Sequence, residues 1–159
     1  MTYRIFLHCT AGYGNIQAIK NYWKNVLGWK SNGYHIIIDL DGGENQITEF
    51  GKIVNGVRGY NTNSIHISYI GGVSRTNYKI AEDTRTEAQK AGILNAIFQA
   101  IQWIELNHAT AKIEILGHRD ISKDVNGNGI IDTWERIKEC PSFDAIPEYK
   151  WIILNQNNS

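Results

Sequence analysis

The chain has 159 residues, 42% of them hydrophobic and 20% charged, which suits one globular domain with a core of its own. Sixteen basic residues balance sixteen acidic ones, so no charge excess draws it to nucleic acid or to an anionic membrane. No apolar run nears the ~20 residues of a membrane span, and two cysteines are too few for a disulfide framework.

Tyr3–His8 is apolar and β-prone and predicts a buried first strand. The N-terminal stretch Met1–His8 lacks a basic n-region, a long apolar stretch and a small-residue cleavage site, so synthesis in the cytoplasm without a signal peptide is expected. Asn15–Trp29 carries a helical stripe of Ile16, Ile19, Trp23, Val26 and Leu27. Gly33–Leu40 predicts a second strand with Tyr34 and His35 on opposite faces. Asp41-Gly42-Gly43 is a hairpin turn, and Glu44–Phe50 is the return strand. Ser64–Ile70 is another strand, on which His66 and Ser68 share a face. Thr84-Arg85-Thr86-Glu87 reads as a capping box that opens a long helix with Ile93, Leu94, Ile97, Ala100, Ile101 and Ile104 on its buried side. His108 is expected to cap that helix. Lys112–Leu116 is a further strand, and Pro147–Asn155 is a short terminal helix with proline in its first turn. No repeat, low-complexity tract or linker divides the chain. Strands interspersed with helices predict an α/β fold, its sheet covered on both faces.

Three residues far apart have the makings of one zinc site: His8 in the first strand, His118 just past a strand end, and Cys140. Two imidazoles and a thiolate leave a tetrahedral zinc one open position, the composition of a catalytic site and not of a closed structural one. If they converge, the set points to a hydrolase. Cys9 adjoins His8 and so points to the other face of the strand, where it reads as a small buried hydrophobe. Lys138 and Cys140, two apart, project to one side of an extended chain. A lone histidine, lysine or tyrosine in such positions is usually a packing or surface residue; the constellation is what raises these above that reading.

A second metal signal lies between His118 and Lys138. Asp124-Val125-Asn126-Gly127-Asn128-Gly129-Ile130-Ile131-Asp132-Thr133-Trp134-Glu135 fits the calcium-loop pattern D-x-[DN]-x-[DN]-G-x5-E at every specified place. Oxygen ligands to Ca2+ are expected from Asp124, Asn126, Asn128, the Ile130 carbonyl, Asp132 (directly or through water) and Glu135. The bland alternative is an Asn/Gly-rich surface turn. A calcium ion there would brace the segment that carries Lys138 and Cys140.

Several strings occur in an order that resembles one family: His8-Cys9-Thr10-Ala11, Gly33-Tyr34-His35, Asp41-Gly42, Asn63-Ser64-Ile65, Gly117-His118-Arg119-Asp120 and Lys138-Glu139-Cys140-Pro141-Ser142-Phe143-Asp144. Together they resemble the zinc-dependent N-acetylmuramoyl-L-alanine amidases of the amidase-2 group, which includes phage amidase lysozymes and shares its fold with the peptidoglycan recognition proteins. The resemblance implies one domain with a central mixed β-sheet flanked by helices and a zinc groove on one side. It implies cleavage of the amide between N-acetylmuramic acid and L-alanine, with Zn2+ on His8, His118 and Cys140, and Tyr34 and Lys138 as catalytic side chains. Peptidoglycan or muropeptides would be the substrate, the cell wall the place of action, and a monomer suffices. Some bacterial relatives carry a catalytic glutamate where this chain has Ser68, and many carry glycine where it has His66; whether His66 faces the groove is open. The rival reading is a module on the same fold that binds peptidoglycan without cutting it. A calcium-dependent structural module is a third. Tyr13, Tyr60, Tyr69 and Trp134 are candidates for stacking on sugars, with packing as the commoner role.

Overall fold

Short segments, most of them rich in β-branched residues, build one five-stranded sheet in the computed structural model, which describes residues 1–156. The strands are β1 (Thr2–Cys9), β2 (Ile36–Ile38), β3 (Glu44–Gln46), β4 (Ser64–Tyr69) and β5 (Lys112–Gly117), in the order β3-β2-β4-β1-β5. β1 is central and runs parallel to β4 and β5; β2 is parallel to β4, and β3 returns antiparallel on β2. The sheet is therefore mixed, as expected. The helices are α1 (Ile16–Asn21), α2 (Glu87–Asn107) and α3 (Ala145–Gln156).

Alternation along the strands sorts the two faces. Ile5, Leu7, Cys9, Ile65, Ile67 and Tyr69 face a core completed by α2 and α3, where Ile93, Ile97, Ala100 and Ile104 are buried. The other face carries Phe6, His8, His66 and Ser68, all buried, and is flanked by a smaller cluster of Trp23, Ile37 and Ile70 with Ile16, Ile19, Trp29 and Tyr34 packed on it. A strongly polar buried face opposite an apolar one separates the working side of the sheet from the side that holds it together.

Several expected elements differ in extent. The return strand stops at Gln46, because the N–H groups of Ile47 and Thr48 both turn to the carbonyl of His35. Residues 33–35 lie outside the strand, so Tyr34 and His35 do not alternate; both reach the polar face. The N-terminal helix loosens into a π-helical turn over Tyr22–Val26, which keeps Trp23 buried and leaves Val26 and Leu27 exposed. The capping box of α2 is Thr86 with Gln89, two residues later than read from the sequence. Thr84 serves instead as a side-chain acceptor for the Gly72 N–H. The C-terminal helix begins two residues before Pro147, which sits in its first turn. His108 ends α2 as expected through its backbone, while its ring stacks on Tyr3 at 5.1 Å.

Candidate metal centre and groove

β1 and β5 are parallel neighbours, so their carboxyl ends open onto one side. His8 is the last but one residue of β1, and His118 follows directly on β5. Their rings stand 5.0 Å apart at 75°. Cys140 arrives from a distant loop that is fastened at several points. Arg119 donates its backbone N–H to the Cys140 carbonyl at 2.8 Å, and its buried guanidinium pairs with Asp144. Tyr69 donates its hydroxyl to the Pro141 carbonyl at 2.7 Å. Gly117 lets Pro141 lie against the end of β5: a Cβ there would stand 2.7 Å from the proline Cδ.

The result brings ligand atoms of His8, His118 and Cys140 within 4.8 Å of one another. His8 Nδ1 lies 3.7 Å from Cys140 Sγ. Nitrogen and sulfur on one tetrahedral zinc, at about 2.0–2.1 and 2.3 Å, stand about 3.6 Å apart. The donor set thus fits zinc in identity, and its His8–Cys140 pair fits it in spacing. Cys9, by contrast, packs into the helix-side core, though its backbone N–H donates to Cys140 Sγ at 3.2 Å.

Electrostatics favour neutral imidazoles here. Burial holds His8 well below the ordinary histidine value, and the like charges of His66 and His118 push the same way. Burial, then Lys138, brings His118 to about 4, and burial brings His66 to about 3. The Cys140 thiol is pushed up by burial and by Cys9 beside it. A neutral ring and a thiol that needs a cation to ionise are the states from which a metal ion takes its ligands.

Tyr34 packs its ring 5.0 Å from His8 and edge-on to Trp23, and donates its hydroxyl to the Cys9 carbonyl at 3.4 Å. Burial and the neighbouring cysteines raise its phenol, so it stays protonated. A cleft of about 220 Å³ opens over the centre, walled by Tyr34, His118, Lys138 and Cys140 together with Trp29 and Gly56. It continues into a second lobe of about 510 Å³ that shares Trp29, Asn55, Gly56, His118 and Lys138 and adds Arg58 and Asn61. Tyr34 and Lys138 therefore stand at the same cleft as His118 and Cys140, with buried His8 adjoining both.

Sequence reasoning missed Trp29, Asn55, Arg58 and Asn61 as groove residues. Trp29 read as the tail of a helical stripe; in the fold it stacks on Trp23 at 6.3 Å and faces the cleft. None of Tyr13, Tyr60, Tyr69 or Trp134 lines these lobes. Tyr69 is buried, Tyr60 packs on Phe6, and Tyr13 lies under Arg75. His66 does not face the groove; it is fully buried behind His8.

The calcium expectation for Asp124, Asn126, Asn128, Ile130, Asp132 and Glu135 gains no support. Two oxygens on one calcium at about 2.4 Å stand at most about 4.8 Å apart. Among the described residues, His8, His118 and Cys140 form a group that close, and Asp124, Asp132 and Glu135 do not. The loop's oxygens instead turn to its own backbone. Both carboxylate oxygens of buried Glu135 accept N–H groups, from Val125, Asn126 and Asp132. Asp124 accepts from Gly127 and Gly129, and Asp132 from the side-chain amides of Asn126 and Asn128. The motif's residue types also serve a self-braced turn.

Fold and site together define a class: a mixed α/β domain with a His/His/Cys set at the floor of an open groove. The chain belongs to the N-acetylmuramoyl-L-alanine amidase family, which matches residues 2–141. It is similar to a protein of unassigned function from Haemophilus influenzae, 33% identical over 117 residues that cover 74% of this chain and 91% of that one. The endolysin of Enterobacteria phage K11 is 28% identical over 155 residues, covering 95% of this chain and 85% of its own. PGRP-SA of Apis mellifera shares the fold, with a TM-score of 0.67 over 94% of this chain and 81% of that one, at 16% identity.

Proposed function

We propose that the protein is a zinc-dependent amide hydrolase that cuts between N-acetylmuramic acid and L-alanine in peptidoglycan, in the manner of an endolysin. The observation that carries the reading is the convergence of His8, His118 and Cys140 beneath a cleft that Tyr34 and Lys138 also wall. His8, His118 and Cys140 hold the metal. Zinc, when bound, supplies Lewis acidity toward water and toward a carbonyl.

The chain's own residues do the rest. Lys138 presents an ammonium at the cleft, where negative charge develops on the carbonyl oxygen as the amide is attacked, and stabilises it there. The Tyr34 hydroxyl, held protonated by burial, turns from its long contact with the Cys9 carbonyl to donate its one proton's hydrogen bond to the reacting oxygen. The long second lobe, with Trp29, Asn55, Arg58 and Asn61, offers an apolar ring face, amides and a cation to a glycopeptide. Substrate affinity comes from this groove.

The test is direct. Purified peptidoglycan is incubated with the zinc-loaded protein, and released stem peptides are assayed for a free L-alanine N-terminus. Release supports the hydrolase. No release, despite one zinc per chain and measurable binding to the wall, favours a recognition module on the same fold.

A further inference from the structure

His8 has two ring nitrogens, and they face opposite ways. Nδ1 looks toward Cys140 Sγ at 3.7 Å, while Nε2 lies 2.9 Å from Nδ1 of His66 in a fully buried contact. Only Nδ1 can meet a metal shared with Cys140. For that nitrogen to offer its lone pair, the ring proton must sit on Nε2, and the atom waiting for it is His66 Nδ1.

His66 is held to that role from every side. Its ring stacks on Phe6 at 5.3 Å and 11°, and on His35 at 5.9 Å and 12°. Its backbone N–H donates to His35 Nδ1 at 3.0 Å. His35 Nε2 lies 2.8 Å from the Lys52 carbonyl, which can only accept, so His35 carries its proton on Nε2 and keeps Nδ1 free for His66. Gly56 roofs the ring: a Cβ there would stand 2.1 Å from His66 Nδ1. When His66 accepts at Nδ1, its own proton lies on Nε2, a buried atom without a partner among the described residues. A contact kept with one nitrogen unpaired points to a demand on the other.

We propose that His66 is a positioning residue that fixes the His8 tautomer and orientation and thereby sets the metal affinity of the centre. The proposal rests on the reading that His8 is a ligand. Outer partners of ligating histidines tune affinity in this way.

The test measures zinc affinity by competition with a chromophoric chelator, and the His8 tautomer from ring nitrogen chemical shifts in the zinc-free protein. His66→Phe keeps a flat ring between Phe6 and His35 but removes the acceptor. It should weaken zinc by about 10- to 100-fold and give His8 mixed tautomers, whereas His66→Asn, whose Oδ1 replaces Nδ1, should stay within about threefold of wild type. Unchanged affinity and tautomer in His66→Phe would overturn the proposal. If that variant does not fold, Gly56→Ala displaces the ring, and wild-type behaviour there overturns it equally. A wild-type protein that takes no zinc would refute the metal reading instead, and the tautomer measurement alone would then decide the His66 contact.

Discussion

Gly117→Ala isolates the packing that delivers Cys140 to the centre. Gly117 has φ −80° and ψ 156°, a backbone any residue adopts, so the substitution adds a methyl group without backbone strain. That methyl carbon would stand 2.7 Å from Pro141 Cδ. Carbon pairs rest at about 3.5–4.0 Å, so about 0.8 Å must be found. Pro141 cannot yield freely, because its carbonyl takes the Tyr69 hydroxyl and the carbonyl before it takes the Arg119 N–H. Overpacking of this kind costs about 1–3 kcal/mol, and the stiffer unfolded chain returns about 0.4–1, leaving a net loss of about 0–2.6 kcal/mol. The effect on metal is larger, since ligand positions tolerate about 0.2 Å and Cys140 moves with its neighbour. Urea denaturation and chelator competition measure the two effects. Gly14→Ala, whose Cβ meets only Ala18 at 3.5 Å, is the control. Wild-type stability and zinc affinity in Gly117→Ala would refute the account of how Cys140 is placed.

Lys138→Ala should lower kcat by about 100- to 1000-fold while zinc content, read by elemental analysis, stays at wild type. Tyr34→Phe should lower kcat with little change in melting temperature, because the ring keeps its contacts with Trp23 and His8. Acid should destabilise the protein through His35, whose value burial lowers. A folded pKa below the unfolded one means stability that is complete above pH about 6.5 and is lost as pH falls toward the folded value, by at most about 1.4 kcal/mol per pH unit for one proton. Urea midpoints between pH 7.5 and 5, with a shallower slope in His35→Gln, check it. Millimolar calcium against a chelator should leave the melting temperature within about 1 °C, because Glu135 is committed to backbone N–H groups. A rise of several degrees would restore calcium to the loop.

The convergence of His8, His118 and Cys140 was legible because donor chemistry resides in side-chain identity, and each of the three sits in a recognisable string. What the sequence hid depends on register and closure. His66 meets His8 diagonally, since the parallel pairing sets Phe6 beside His66 and His8 beside Ser68. No spacing along the chain announces that neighbour. Trp29 became a groove wall only because the π-helical turn and Gly33, whose Cβ would stand 2.9 Å from the Trp23 ring, fold the indole pair together. The calcium pattern gained no support for the complementary reason. It specifies which residues carry oxygen, and the structure decides whether those oxygens face an ion or the loop's own N–H groups. Residue type therefore located the donor cluster at one end of the sheet, while the neighbours behind it follow from strand pairing. His66 is where the two meet: a histidine placed by β4 behind His8, the metal-ligand candidate that β1 supplies.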